Sequence, residues 1–448
     1  MAIAQKSMTE GKIWKLIILF AFPIFLGNLF QQLYNAADSL IVGNFLGADA
    51  LAAVSSAGNL IMMLIGFFNG IAMGAGVVIA RCFGAKDHKK LKYAIHTNVA
   101  FGLIMGIALT IIGTISAPQI LVWMKTPASV MPESITYFRV YYLGSIGLVM
   151  YNIFVGILQS LGDSKHPLYY LMISSVVNIV LDYILIAWLG MGVEAAAFAT
   201  VLSQFISAAL CMRLLMKMDA EYKLCLKDVK IHKGLLSEIL KNGIPSGIQN
   251  SIIGIANVVV QTNINAFGAA AMAGCGAFSK IEGFAFLPIT SFNMALTTFV
   301  GQNLGAKKEE RARKGSHFGI WCSILLAEGI GIITFVFAPA LISFFSSEPE
   351  VMAFGIERAK TSGLFFFLLA YTHAMSAVFR GSGRPIVPMM VMVVCWCVIR
   401  VTFLTVTGYL FHDIRFVYWV YPITWTLSSV VLWIYSKRTN WFLNARNG

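Results

Sequence analysis

Long apolar stretches separated by short polar segments run along the whole chain. A membrane-spanning helix needs about 20 predominantly apolar residues, and twelve stretches of the sequence reach that length. They lie at roughly 13–42, 51–80, 93–117, 135–160, 168–189, 195–217, 237–266, 271–303, 316–345, 358–381, 386–410 and 415–437. The pattern predicts an all-α membrane protein with twelve transmembrane helices.

The composition agrees with this prediction. Of the 448 residues, 58% are hydrophobic and 12% are charged, and the mean hydropathy of +0.77 lies far outside the range of a soluble domain. The net charge of +13 does not indicate nucleic acid, because most Lys and Arg residues fall on alternate loops and near the ends of the chain. By the positive-inside rule, we expect a multi-pass protein of the plasma (inner) membrane with both termini cytoplasmic. No cleavage site follows a short apolar core, so the first span is expected to stay in the protein.

An internal repeat at a nearly constant offset divides the chain into two similar halves. The repeat offset is the separation between Phe83 and Leu304, and it is close to half the length of the chain. Residues that match at this offset include Phe83-Gly84-Ala85-Lys86 with Leu304-Gly305-Ala306-Lys307, His96 with His317, Ala117-Pro118 with Ala338-Pro339, Gly162 with Gly383, and Pro167 with Pro388. Pro23 and Pro245 match with one residue of slip. We therefore predict an N-lobe at 1–217, a cytoplasmic linker at 218–236 and a C-lobe at 237–448.

Six spans per copy give both copies the same orientation, related by a pseudo-two-fold axis along the membrane normal. The expected architecture is two six-helix bundles around a central cleft. Transporters built from repeats bind their substrates near such an interface and rock one bundle against the other. A pseudosymmetric channel is the other possibility, but the sequence shows no repeated carbonyl filter or ring of like charge.

Four polar residues of the first half are absent from the second. Asn178 and Asp182 lie one helical turn apart in the apolar stretch SSVVNIVLDYILI, and the equivalent positions of the second half hold Ile399 and Phe403. Thr200 corresponds to Tyr421, and Asp38 corresponds to a valine. A carboxylate at membrane depth normally faces a bundle interior or a wet cavity. The asymmetry favours a functional role, and the alternative is structural hydrogen bonding between helices.

Several motifs resemble those of the multidrug and toxic compound extrusion (MATE) family. They are the early pattern Phe22, Pro23, Asn28, Tyr34, Asp38, the stretches VGNFLGADALAA, ILQSLGDSKHP and NIVLDYILI, and in the second half FVGQNLGAKK and FRGSGRP. The resemblance covers nearly the whole chain. It implies a two-lobed antiporter of twelve helices that exports cationic, lipophilic compounds in exchange for protons or sodium.

The same resemblance implies the roles of individual residues. The cation-coupling site of the N-lobe, which would hold H⁺ or Na⁺, falls on Asp38, Asn178, Asp182 and Thr200. The family's substrate-binding positions in that lobe correspond to Tyr34, Asn152 and Tyr137. An acidic residue that some members carry in the tenth helix is missing here.

The second half offers fewer polar candidates. His373 corresponds to Asn152 at the repeat offset, and Glu282 is the clearest carboxylate within a span, with Glu328 as the other. Glu282 is open to three interpretations: it binds substrate, relays a proton, or pairs with a lysine such as Lys280. An interior proline removes one backbone hydrogen bond, so Pro23 is the expected hinge of the first helix.

Two other functions compete with cation-coupled export. A flippase for a lipid-linked saccharide would line its cleft with cationic residues, and only Arg400 is expected deep within a span. A membrane-embedded enzyme would need a nucleophile, a metal or an acid–base set, and no such cluster is visible. The cysteines show no metal spacing and the glycines no nucleotide fingerprint. We therefore expect a monomer with no cofactor, no metal other than a possible Na⁺, and no nucleic-acid partner.

Overall fold

The fold is a set of α-helices, most of them long enough to cross a membrane. The computed structural model describes residues 7–123, 126, 128, 130–411 and 413–439, except for the side chains of 48–49, 51–53, 55–65 and 123, and this part contains no β-strand. The helices are α1 (Ile13–Leu46), α2 (Ala48–Gly84), α3 (His88–Trp123), α4 (Met131–Leu143), α5 (Ser145–Ser160), α6 (Lys165–Asp182), α7 (Val193–Lys217), α8 (Lys233–Asn265), α9 (Ala269–Gly305), α10 (Glu309–Val336), α11 (Ala338–Ser343), α12 (Pro349–Gly363), α13 (Phe366–Gly381), α14 (Ile386–Met392), α15 (Arg400–Leu410) and α16 (Ile414–Arg438). A 3₁₀ turn lies at Leu226–Asp228.

Two predicted spans are bent pairs of helices. In the described residues, ten helices are long and apolar enough to span a membrane, and there are twelve spans when each bent pair counts as one. Helices α4 and α5 meet at 48°, and α12 and α13 meet at 54°. Gly144 forms the first break, and a Cβ there would lie 2.0 Å from a methyl group of Val201. The predicted all-α fold with twelve spans is confirmed.

Two π-helical segments interrupt the long spans. Tyr183–Trp188 continues α6 directly after Asp182, and Val393–Ile399 joins α14 to α15 directly before Arg400. Each insertion of a π-turn rotates the residues that follow it relative to an α-helix. Such insertions are rare in proteins overall. Where they occur, they frequently lie at functional sites.

The backbone repeats the duplication seen in the sequence. Three pairs of residues with positive φ are related by the repeat offset: Gly47 with Gly268, Lys86 with Lys307, and Gly162 with Gly383. Because a positive φ is rare outside glycine, the lysine pair, with φ values of 57° and 58°, is the stronger evidence. The two halves therefore share their turns as well as their helices.

The described chain forms two compact units. One contains Leu26–Gly243, and the other contains Met8–Phe25 and the chain from Ile244 onward. Helices α1 and α8 therefore each contribute to both units. The division differs from the predicted lobes in that the start of α1 groups with the second unit, and the linker groups with the first.

Contacts at the amino-terminal segment explain the first difference. The backbone N–H of Met8 donates to Oε1 of Gln302 at 2.8 Å, and the Lys308 ammonium donates to the Thr9 carbonyl at 2.9 Å. Ile17 and Phe20 of α1 pack in a core cluster with residues of α9. The start of α1 is thereby anchored to α9 and α10.

The linker packs against α3. The Cys225 N–H donates to Nε2 of His96 at 3.0 Å, and the Asp228 carboxylate lies 2.7 Å from the Lys92 ammonium. The hydrogen bond from Lys92 holds the pKa of Asp228 below its usual value. Nδ1 of His96 lies 2.7 Å from the Lys92 carbonyl, so His96 must donate there and accept at Nε2, which makes it the neutral tautomer.

Glycines of α2 allow a close helix crossing. A Cβ on Gly74 would lie 2.3 Å from the backbone of Gly243 in α8, and one on Gly76 would lie 2.7 Å from the Ser160 hydroxyl. No side chain fits at the first position without moving a backbone. These contacts make the two glycines helix-packing residues.

Candidate functional site

Helix α6 carries two buried polar residues on one face. Asn178 and Asp182 have no exposed surface, and their spacing of four residues places them one turn apart. The Asn178 side-chain N–H₂ donates to the Thr200 hydroxyl of α7 at 3.5 Å. Helices α6 and α7 pack along each other, which brings these residues together.

The Asp38 carboxyl group of α1 lies close enough to that of Asp182 for the two acids to interact electrostatically. Oδ1 of Asp38, both carboxyl oxygens of Asp182 and Oδ1 of Asn178 are buried, and none accepts a hydrogen bond from the described part of the chain. Two ionised carboxylates cannot hydrogen bond to each other, since neither has a donor. A shared proton or a bound cation would supply the positive charge that the pair lacks.

The donor set of this site consists of oxygen atoms only. Two carboxyl groups, an amide oxygen and a hydroxyl suit a proton or a hard cation such as Na⁺, whereas softer transition metals prefer nitrogen and sulfur. In the described part of the chain, no group of three or more His, Cys, Asp and Glu residues could hold a metal ion. Burial strengthens the electrostatic attraction of the acids for a cation.

Two predicted substrate residues lie at the acid pair. Tyr34 and Tyr137 each interact electrostatically with both Asp38 and Asp182. The Tyr137 ring stacks on that of Tyr141, with 6.2 Å between centroids. Aromatic surface and negative charge therefore occur together, as recognition of an organic cation requires.

Asn152 has a different environment. Its side-chain N–H₂ donates to the Leu148 carbonyl within α5 at 2.9 Å, and it lines a cavity with residues such as Phe68, Phe101 and Met105. The structure thus places Asn152 among apolar side chains, whereas Tyr34 and Tyr137 lie at the acids.

In the second unit, Glu282 of α9 pairs with an arginine. Nη2 of Arg358 in α12 lies 3.8 Å from the Glu282 carboxylate, and Arg400 also acts on Glu282 electrostatically. Lys280 is exposed, and no ion pair between it and Glu282 occurs in the described chain. The suggested pairing with a lysine is therefore replaced by a pairing with Arg358.

The other polar candidates of this unit have distinct surroundings. His373 is buried, with its ring edge-on to Phe286 at 5.9 Å and to Trp396 at 5.7 Å between centroids. The Glu328 carboxylate accepts from the Phe367 N–H at 2.9 Å. Because the first N–H groups of a helix lack intrahelical partners, Glu328 serves as a cap for α13.

Arg400 is not the only buried arginine in the described chain. Arg358, Arg380 and Arg400 are all buried, with at most 3% of their surface exposed. Arg380 donates to Oε1 of Gln249 at 3.1 Å and to the Asn293 amide oxygen. Hydropathy analysis misses Arg358 because it stands at the edge of an apolar stretch, where a long side chain would be expected to reach water.

Comparison with known proteins identifies the family. The MatE family model matches the chain twice, at residues 23–184 and 245–406. The chain belongs to the MatE family. Each match begins at the proline that the repeat pairs, Pro23 in one half and Pro245 in the other. This assignment makes the protein a membrane transporter and excludes the enzyme alternative.

Known MATE relatives cover nearly the whole chain. It is 28% identical over 443 residues to a Bacillus subtilis protein named probable multidrug resistance protein YoeA. The matched region covers 97% of this chain and 95% of that protein. It is 27% identical to a Thermotoga maritima protein named probable multidrug resistance protein NorM, over 85% of this chain and 82% of that one. The structure of a MOP superfamily transporter from Pyrococcus furiosus superposes over 100% of both chains with a TM-score of 0.91 and 24% identity, and this likeness shows the shared fold.

Proposed function

We propose that this MATE protein exports small cationic or lipophilic compounds by antiport against H⁺ or Na⁺. Asp38 and Asp182 bind the coupling cation, and Asn178 and Thr200 complete the site. The observation that carries the proposal is the set of buried oxygen atoms without donors around the two acids. Relatives named multidrug resistance proteins support the substrate class.

The acids and the aromatic residues form one site in this proposal. A drug cation that contacts Tyr34 and Tyr137 shares the negative charge of Asp38 and Asp182 with the coupling cation. Binding of one cation therefore weakens binding of the other. His373 and Glu282 are the proposed substrate contacts of the C-lobe, and Asn152 contributes through its apolar cavity.

Alternating access depends on bending of α1 and α8. Each helix passes from one unit to the other next to a proline: between Phe25 and Leu26, close to Pro23, and between Gly243 and Ile244, beside Pro245. A proline removes a helical hydrogen bond and lowers the cost of bending. Bending at Pro23 displaces Asp38, so cation binding and helix shape are coupled. A cation drives this change only through its different affinities for the two shapes.

The proposed setting is the plasma membrane, with both termini cytoplasmic and the protein a monomer. The clusters of Lys and Arg on alternate loops support this orientation. In this proposed orientation the acid pair lies toward the outer side, because Asp38 is near the end of α1 remote from the amino terminus.

Reciprocal binding tests the proposal. Ethidium binding to the purified protein should weaken as the concentration of protons or sodium rises, and ethidium should weaken binding of that cation by the same factor. Asp38→Asn should abolish this reciprocity, whereas Glu133→Gln, a change of an exposed acid in the same unit, should retain it. Pro23→Ala should keep cation binding but slow ethidium export from proteoliposomes. Ethidium affinity indifferent to both cations in the wild-type protein would mean that the acids are structural.

The buried arginines favour a second candidate, the flippase for a lipid-linked saccharide. Arg358, Arg380 and Arg400 supply more buried positive charge than the sequence suggested. Export of ethidium driven by a cation gradient, unaffected by added lipid pyrophosphate, would exclude the flippase. Translocation of a fluorescent lipid pyrophosphate without ethidium transport would establish it.

A further inference from the structure

A cluster of two arginines and one glutamate lies in the second unit, and the coupling mechanism does not use the arginines. Arg358 and Arg400 are 3% and 1% exposed. Glu282 is the carboxylate that interacts with both of them. Two positive charges and one negative charge leave the cluster with an excess of one positive charge within membrane-spanning helices. An unbalanced buried charge is costly unless a ligand or partner neutralises it.

The two guanidinium groups share one aromatic ring. Cζ of Arg400 lies 4.8 Å from the Tyr421 ring centroid, and Cζ of Arg358 lies 5.3 Å from it. Both cations therefore lie against the same ring, although like charges repel in a medium of low dielectric constant. Contacts with Trp396 and Phe278, at 5.0 and 5.1 Å from the respective guanidinium groups, add cation–π stabilisation.

Hydrogen-bond acceptors in the protein pair with only some of the side-chain N–H groups of the two arginines. Arg358 donates to the Cys275 carbonyl at 3.1 Å and to the Tyr421 hydroxyl at 3.4 Å, and Arg400 donates to the Thr424 hydroxyl at 2.9 Å. Nε of Arg358 and both Nε and Nη1 of Arg400 are buried without an acceptor in the described chain. Three donors of two charged groups thus remain available to an oxygen anion.

The repeat relates two residues of this cluster to residues at the acid site. At the repeat offset, Arg358 corresponds to Tyr137, and Tyr421 corresponds to Thr200. A π-helical segment borders each site, directly after Asp182 in one unit and directly before Arg400 in the other. Two of the positions matched by the repeat therefore stand near acids in one unit and belong to the arginine cluster in the other.

We infer that the cluster formed by Arg358, Arg400, Glu282 and Tyr421 binds the carboxylate group of an aromatic substrate. This inference rests on the proposed export function and adds to its substrate class compounds that carry a carboxylate. The excess of one positive charge matches a monoanion. Charge-assisted hydrogen bonds from guanidinium groups suit carboxylate oxygens, and the rings of Phe278, Trp396 and Tyr421 suit an attached aromatic group.

Benzoate binding to the full-length purified protein tests the inference. Equilibrium dialysis with radiolabelled benzoate should show one saturable site per chain. Arg400→Gln should weaken benzoate binding at least about tenfold, because it removes two charged donors. Glu282→Gln should strengthen binding about tenfold, because it removes the competing carboxylate. The matched control is Arg415→Gln: Arg415 is exposed and pairs with Glu357 at 2.9 Å, so its replacement should leave benzoate affinity unchanged.

The opposite effects of the two substitutions separate a binding site from a structural ion pair. A purely structural pair would be disturbed by Glu282→Gln without any gain in benzoate affinity. Absence of saturable binding by the wild-type protein, or equal affinity in all variants, would overturn the inference. Tighter binding of phenyl phosphate than of benzoate would overturn the assignment to a carboxylate. Ethidium export by the wild-type protein keeps the tests distinct: its absence refutes the export function, whereas its presence without benzoate binding refutes this inference alone.

Discussion

Replacing Asp182 by asparagine should stabilise the protein while it abolishes gradient-driven export. In the wild-type protein, both Asp182 oxygens are buried and accept no hydrogen bond from the described chain. The asparagine N–H₂ group can donate to the neighbouring Asp38 carboxylate. A hydrogen bond to a charged group contributes about 1.5–3 kcal/mol, and a unit of about 200 residues gains roughly 2–4 °C in Tm per kcal/mol. We therefore expect Tm to rise by roughly 3–12 °C.

The gain should depend on pH. At alkaline pH, both carboxyl groups of the wild-type protein carry charge and repel each other, so the advantage of the amide is greatest. As the pH falls, a proton shared between Asp38 and Asp182 supplies the same donor, and the advantage of the variant shrinks. Sodium should act in the same direction if it binds the pair, since a ligand of the folded state stabilises it by mass action.

Thermal denaturation of detergent-solubilised protein, followed by size-exclusion chromatography, measures the effect. Asp163→Asn is the matched control, because the Asp163 carboxylate is already satisfied by the N–H groups of Lys165 and His166 at 3.1 Å. Loss of its charge at the start of α6 should lower stability by about 0.3–1 kcal/mol. The reasoning fails if Asp182→Asn lowers Tm at alkaline pH, or if the variant still couples export to a cation gradient.

Two further predictions concern orientation and helix packing. A cysteine in place of Asn44, near the end of α1, should react with an impermeant thiol reagent from outside the cell, whereas one in place of Glu310 should not. If the cysteine at position 310 reacts from outside and the one at position 44 does not, after the wild-type background is subtracted, the topology is wrong. Gly331→Ala should lower Tm by several degrees, because its Cβ would lie 2.2 Å from the Gly363 carbonyl oxygen. Gly329→Ala, on the same helix with nothing within 4 Å, should be neutral or stabilising by up to about 1 kcal/mol. Equal effects at both positions would refute the close contact.

The spans and the duplication could be predicted because they depend on properties that the sequence states directly. A bilayer requires long apolar stretches, and residues with special backbone geometry, such as Lys86 and Lys307, recur at a fixed offset. The proximity of the Asp38 and Asp182 side chains was predictable for a related reason. Both acids are missing from the second copy, so the fold of the six-helix unit does not require them.

The arginine cluster was not predictable from the same information. Hydropathy shows that Arg358 stands at the edge of an apolar stretch, but the bent pair α12–α13 begins earlier, at Pro349, and carries Arg358 inward. Its acceptors, the Cys275 carbonyl and the Tyr421 hydroxyl, are 83 and 63 residues away. The grouping of the start of α1 with the second unit has a similar cause, since Met8 pairs with a residue 294 positions later.

The two units share much of their backbone, but their buried polar side chains differ in charge. Both copies keep the bent pair of helices and the turns with positive φ. A shared backbone needs no particular charge on those side chains, so the copies were free to acquire acids in one and arginines in the other. The acid pair carries unsatisfied oxygens, and the arginine pair carries unsatisfied nitrogens. Each arrangement weakens its own unit unless a ligand of opposite charge binds, which is the property that lets a ligand shift a conformational equilibrium.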